Sequence, residues 1–115
     1  MKQRLLVMNG QRILQAESDG AWMTRKVEKA GALKPGIYNL YLAQAVEKTQ
    51  SHEGVIVHAD TFSVYQQVGR GFVTHVRSDF DRLPEVGSAQ RISYSEQGKA
   101  SIAAEAPKLA RGRSL

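Results

Sequence analysis

The chain has 115 residues, 42% hydrophobic and 23% charged, with no cysteine, which predicts one compact domain and excludes disulfide frameworks, thiolate zinc sites and thiol nucleophiles. A chain of this size buries roughly 60 to 70% of its unfolded surface and needs no metal or disulfide to hold a core. The net charge is +5, and the early apolar run Leu5-Leu6-Val7-Met8 is too short for a signal peptide or a membrane span, so a soluble cytoplasmic protein is expected.

The excess charge sits at the two ends. Residues 1–40 carry seven Lys/Arg against three Asp/Glu, residues 41–103 carry six against seven, and residues 104–115 carry three against one. The first turn signal is Asn9-Gly10 between Arg4-Leu5-Leu6-Val7-Met8 and Gln11-Arg12-Ile13-Leu14-Gln15-Ala16. Both turn residues tolerate positive φ, so the pair reads as a β-hairpin. Ser18-Asp19-Gly20 breaks the second strand. From Ala21 to Ala30, the spacing of Met23, Val27 and Ala30 predicts a short helix with Arg25, Lys26 and Lys29 on its outer side and Gly31 as its stop. A strand through Trp22-Met23-Thr24 followed by a shorter helix is the alternative. Beyond Pro35-Gly36, the stretch from Ile37 to Val46 starts extended and turns helical from about Asn39, and Lys48 to Glu53 reads as a loop within one domain.

The second half is a succession of short strands. Gly54-Val55-Ile56-Val57-His58, Phe62 to Val68 and Phe72 to Val76 are separated by polar or glycine-rich turns, Ser78 to Leu83 reads as a helical turn capped by Ser78 or Asp79, and Arg91-Ile92-Ser93-Tyr94 pairs with Lys99-Ala100-Ser101-Ile102. The expected fold class is α+β, mainly β. It is a small antiparallel curled sheet or SH3-like barrel with an amino-terminal β-hairpin and one or two short helices. Residues 1–103 form the compact domain, with hairpin and helix over 1–47, the barrel-like half over 54–103, and a mobile basic tail over 104–115. The expected core of the second half is Val55, Val57, Phe62, Val64, Phe72, Val76, Leu83, Ile92 and Ile102, and a one-residue slip in register would exchange Val55 and Val57 for Ile56 and His58.

No catalytic constellation emerges. His52, His58 and His75 have neither metal-ligand spacing nor a neighbouring carboxylate pattern, and strand alternation leaves His58 and His75 as surface or partly buried residues. Gly69-Arg70-Gly71 lacks the Lys-Ser/Thr of a phosphate-binding loop and reads as a hairpin turn. The expectation is a protein without enzymatic activity, metal or cofactor. Aromatic residues interleaved with cations are how small barrels hold single-stranded nucleic acid, so Tyr65, Arg70 and Arg77, with Phe72, form one candidate surface and Arg25, Lys26 and Lys29 a second for nucleic acid or an acidic partner.

Several segments together carry a family resemblance: Val7-Met8-Asn9-Gly10-Gln11-Arg12, Lys34-Pro35-Gly36-Ile37-Tyr38-Asn39-Leu40, Gly54-Val55-Ile56-Val57-His58, Val64-Tyr65-Gln66-Gln67, His75, Pro84-Glu85-Val86-Gly87 and Ile92 to Ala100. In these the chain resembles the KfrB family of plasmid accessory proteins over residues 1 to about 103. Its second half is similar to a module at the ends of plasmid primases and relaxases. The resemblance implies an adaptor role in stable maintenance of a conjugative plasmid, with a DNA-binding coiled-coil partner of the KfrA type and a further Kfr protein. It assigns no active-site residues.

Overall fold

The computed structural model describes residues 2–104, so the expected tail lies outside the described residues apart from Ala104, which closes the last strand. Ten strands run in chain order: β1 (Gln3–Met8), β2 (Gln11–Ser18), β3 (Ala21–Lys29), β4 (Gly36–Tyr38), β5 (Gln44–Ala45), β6 (His52–Ala59), β7 (Ser63–Val68), β8 (Gly71–Val76), β9 (Ala89–Tyr94) and β10 (Ala100–Ala104). They form an amino-terminal sheet of order β3-β2-β1-β4 and a carboxyl-terminal sheet of order β10-β9-β6-β7-β8-β5.

Two tight turns of the same chemistry build the first sheet. Asn9 and Gly10 have φ of 52° and 75°, Asp19 and Gly20 of 52° and 81°, and both pairs thus suit the left-handed turn that joins twisted antiparallel strands. The second turn continues the chain as β3, where a helix was expected from Ala21 to Ala30. Helical spacing misleads here because Met23 and Val27 are about half exposed and only Ala30 is buried. β3 instead pairs along its length with β2, in register from Ser18↔Ala21 to Gln11↔Lys29. A bulge breaks that register: Gln15 faces Thr24 and Leu14 faces Lys26, leaving Arg25 as the extra residue.

Two further helical expectations shrink to single 3-10 turns, at Leu40–Leu42 and Arg77–Asp79, neither with a side-chain cap. Gly36–Tyr38 is extended as expected, but it pairs with β1, and Gln44–Ala45 pairs parallel to β8. No described helix is long and apolar enough to cross a membrane.

The carboxyl-terminal sheet is curled and does not close into a barrel, since β10 and β5 remain its edges. β6 begins at His52, inside the segment expected to be loop. Its first half pairs with β9, from His52↔Ile92 to Val55↔Ala89, and its second half with β7, from Val55↔Gln67 to Ala59↔Val64. At the changeover, a Cβ on Gly54 would lie 1.7 Å from the Gln67 carbonyl oxygen, so only glycine permits this approach. A second bulge places Val57 between the pairs Ile56↔Gln66 and His58↔Tyr65, and Ile56, Val57 and His58 are all buried. The alternation expected along this strand therefore resets in its middle.

One cluster of buried residues joins the two sheets: Leu5, Val7, Tyr38, Leu40, Ala30 and Leu33 meet Val57, with Val55, Tyr65 and Phe72 packed against them. A second cluster, Ile56, Val64 and Ile92, lies on the other face of the carboxyl-terminal sheet with Phe80, Tyr94 and Ile102 around it. Of the expected core, Phe62 (80% exposed), Val76 (52%) and Leu83 (36%) are outside it. Phe62 lies in the β6–β7 turn, where the Asp60 carboxylate accepts the backbone N–H groups of Phe62 and Ser63, so local hydrogen bonding decides its position.

Candidate protein-docking interface

Alternation along β1, β2 and β3 gives the amino-terminal sheet two unlike faces. Leu5 and Val7 of β1, Leu14 of β2 and Tyr38 of β4 point into the inter-sheet core. The intervening residues point away from it. On this outer face, Ile37, Leu6, Ile13 and Val27 stand directly opposite one another across all four strands, Ile37↔Leu6, Leu6↔Ile13 and Ile13↔Val27. Ile37 is 63% and Val27 49% exposed, Leu6 and Ile13 are half-buried, and none of the four packs on either core cluster.

Two further rows of mostly polar side chains flank this apolar row. On one side lie Met8, Gln11 and Lys29, all exposed. On the other, Arg4 Nε donates to Gln15 Oε1 at 2.9 Å and Gln15 Nε2 to Thr24 Oγ1 at 3.4 Å. The Arg4 guanidinium lies 4.2 Å from the Trp22 ring centroid, Trp22 stands 6.1 Å from Tyr41, and Lys2 Nζ is 5.3 Å from the Tyr41 ring. These contacts hold two aromatic rings and two cations at one end of the face.

The residues singled out from sequence fall in several places. Arg25, Lys26 and Lys29 are exposed, but a strand separates what a helix would have gathered. Lys29 is on the outer face, Arg25 is the bulged residue, and Lys26 lies on the inner side, 3.6 Å from Glu28, which also meets Arg12 at 3.3 Å. Arg70 occupies the exposed β7–β8 turn, whereas Arg77 follows the far end of β8 and donates to the Asp60 carbonyl at 2.7 Å. Six strand residues separate them, about 20 Å of extended chain. Tyr65 and Phe72 pack against the inter-sheet core, and Phe72 meets the Tyr38 ring edge-on at 6.2 Å. The structure does not bring Tyr65, Phe72, Arg70 and Arg77 to a common surface.

All three histidines are buried, against the surface or partly buried setting expected for His58 and His75. His75 Nε2 lies 2.8 Å from Gln66 Oε1 and Nδ1 lies 2.6 Å from the Tyr94 hydroxyl. The Gln66 amide nitrogen is within 3.0–3.3 Å of the carbonyls of His52, Gly54 and Gln90, so its oxygen is the end that accepts. His75 is thus the neutral tautomer with its proton on Nε2, and Tyr94 donates to Nδ1. Burial, reinforced by the nearby His52, pushes the His75 pKa down to about 4. Burial, with Asp79 adding to it, pushes Tyr94 up to about 12. Lys48 covers the outer end, 2.8 Å from Asp79 Oδ2 and 3.1 Å from the Gly98 carbonyl, above the Tyr94 ring. With both ring nitrogens engaged, the cluster pins β6, β7, β8 and β9 together. Gln66 and Tyr94 were not read as structural from sequence, although Val64 in the core already implies that Gln66, two residues on, also points inward.

The sequence profile of the KfrB domain matches residues 51–104, which run from the start of β6 to the end of β10 and include the Gln66–His75–Tyr94 cluster. The chain is also 37% identical over 100 residues to protein TraB of Escherichia coli, a match spanning 84% of this chain and 68% of that protein. That span exceeds the profile match, so the likeness extends into the amino-terminal half.

Proposed function

The chain belongs to the KfrB family, and from that membership and the geometry above we propose that it is a plasmid-associated, non-enzymatic adaptor for stable maintenance of a conjugative plasmid. Its partner is a DNA-binding coiled-coil protein of the KfrA type, with a further Kfr protein in the same assembly. One observation carries the docking role: the four-strand apolar row on the outer face of the amino-terminal sheet, framed by organised cations and aromatics and, among the described residues, part of neither core cluster. Rows of this kind on a folded domain mark protein contact surfaces.

Calorimetric titration against a KfrA-type protein, a DNA duplex and a single strand, each at two salt concentrations, tests this reading. Saturable binding to the protein with weak DNA binding is expected. Strong binding to DNA alone, its logarithm falling steeply with the logarithm of salt, overturns it.

A second reading, a nucleic-acid-binding module, is favoured by one observation, the three exposed cations Arg25, Lys26 and Lys29 on edge strand β3. Under it, changing all three to Gln weakens DNA binding at least tenfold at low salt, and unchanged affinity removes them from consideration.

A further inference from the structure

We infer that the outer face of the amino-terminal sheet takes a single α-helix laid across its strands, with an apolar seam on the row Ile37–Leu6–Ile13–Val27 and carboxylates along its flanks. The inference rests on the adaptor reading and specifies the chemistry of its partner.

Spacing selects a helix. Neighbouring strands lie about 4.8 Å apart, so the row presents four apolar side chains at roughly that interval over about 14 Å. A helix with an apolar residue every 3.5 positions presents side chains at intervals of about 5.2 Å. An extended segment presents its same-side residues about 6.7 Å apart and falls out of step by the third. The sheet edges also resist strand addition: β4 has three residues, and β3 is interrupted by the Arg25 bulge.

Charge selects the flanks. The outer face carries Lys2, Arg4 and Lys29, with Glu17 as the acid in the same alternation. Arg4 and Lys29 flank the apolar row on opposite sides. Arg4 is also held by Gln15 and Trp22, so its guanidinium is fixed before a carboxylate arrives. A second copy of this chain is a poor occupant, because two like faces would set these cations against each other.

The test uses the full chain and three probes: the KfrA-type protein, and two helix-stapled peptides of three heptads with the same leucine seam, one flanked by Glu and the other by Lys. The wild type binds the Glu-flanked peptide at least tenfold more tightly than the Lys-flanked one. The double variant Val27→Glu/Ile37→Glu, changed at two exposed positions, loses at least tenfold toward both that peptide and the KfrA-type protein. Lys2→Glu/Lys29→Glu reverses the peptide preference and serves as the second variant should the first misfold by circular dichroism. If folded variants bind the KfrA-type protein as the wild type does, the inference fails and the adaptor reading survives. If the Glu-flanked peptide binds as described and the KfrA-type protein does not, the adaptor reading with that partner fails and the face keeps its assignment. If neither binds, both fail.

Discussion

His75 lies between a phenol that donates to it and an amide oxygen that accepts from it, and it is 1% exposed. Protonating Nδ1 would place a positive charge in a buried, low-dielectric site near His52 and turn the Tyr94 hydroxyl from donor to acceptor, which agrees with a pKa near 4. An unfolded histidine takes up its proton near pH 6.5, so between about 6.5 and 4 the unfolded state binds more protons than the native one. Stability is therefore complete above pH 6.5 and falls as the pH drops toward 4, by up to about 3 kcal/mol. Burial also lowers the pKa of His58, which adds in the same direction. Urea midpoints measured from pH 7.5 to 4.5 check this; a flat profile contradicts the buried neutral tautomer. Tyr94→Phe leaves the Nδ1 lone pair without its donor and is expected to cost roughly 1–3 kcal/mol. Gly54→Ala sets a methyl carbon against a backbone carbonyl that no side-chain motion relieves, and is expected to cost about 3 kcal/mol or more by chemical denaturation, or to prevent folding. Much of this residue-scale structure was hard to read beforehand. Glycine before Val55 looks like any strand start, and the need for it arises from β6 changing partners, a non-local event. Gln66 was more legible, because a polar side chain two positions from a core valine must find partners.

At the scale of elements, the turn and hairpin chemistry was legible and the secondary structure between turns was less so. Asn9-Gly10 and the pairing of β9 with β10 appear as read. Asp19-Gly20 carries the same signal as Asn9-Gly10, but the apolar spacing of Met23, Val27 and Ala30 outweighed it in the reading, and the segment is strand. Apolar residues at positions 23 and 27 satisfy both periods, and only the tertiary pairing with β2 chooses between them. The bulges at Arg25 and Val57 shift register without a local mark, which is why the expected core on β6 omitted Ile56 and His58. Arg25, Lys26 and Lys29 give β3 a role for its charge that is independent of any ligand. A bulged, cationic edge resists pairing with the same edge of another molecule. Deleting Arg25 while changing Lys26 and Lys29 to Thr is expected to produce dimers or larger species in size-exclusion chromatography with light scattering. A variant that stays monomeric at high concentration shows that the edge is protected by other means.

At the scale of the whole molecule, the proposed function divides structural and contact roles between the two sheets. The carboxyl-terminal sheet, within the region matched by the KfrB profile, is tied internally by Gln66, His75 and Tyr94 and gives one side to the inter-sheet core. The amino-terminal sheet covers that core with one face and presents the other. The charge excess of residues 1–40 lies with this amino-terminal sheet, while residues 41–103 are near neutral. The acidic partner proposed above would therefore be drawn to the same side of the molecule that carries the apolar row. Among the described residues the shape is elongated, 52 × 33 × 24 Å, and one cluster of buried residues is shared by the two sheets. The most direct measurement uses the single tryptophan of the chain, Trp22, which is at the edge of the proposed contact. Titrating the protein with a KfrA-type partner, calorimetry and Trp22 emission should saturate together, with DNA alone leaving the emission unchanged. Calorimetric binding of that partner with no change at Trp22, or an emission change produced by DNA and not by the partner, would contradict the account.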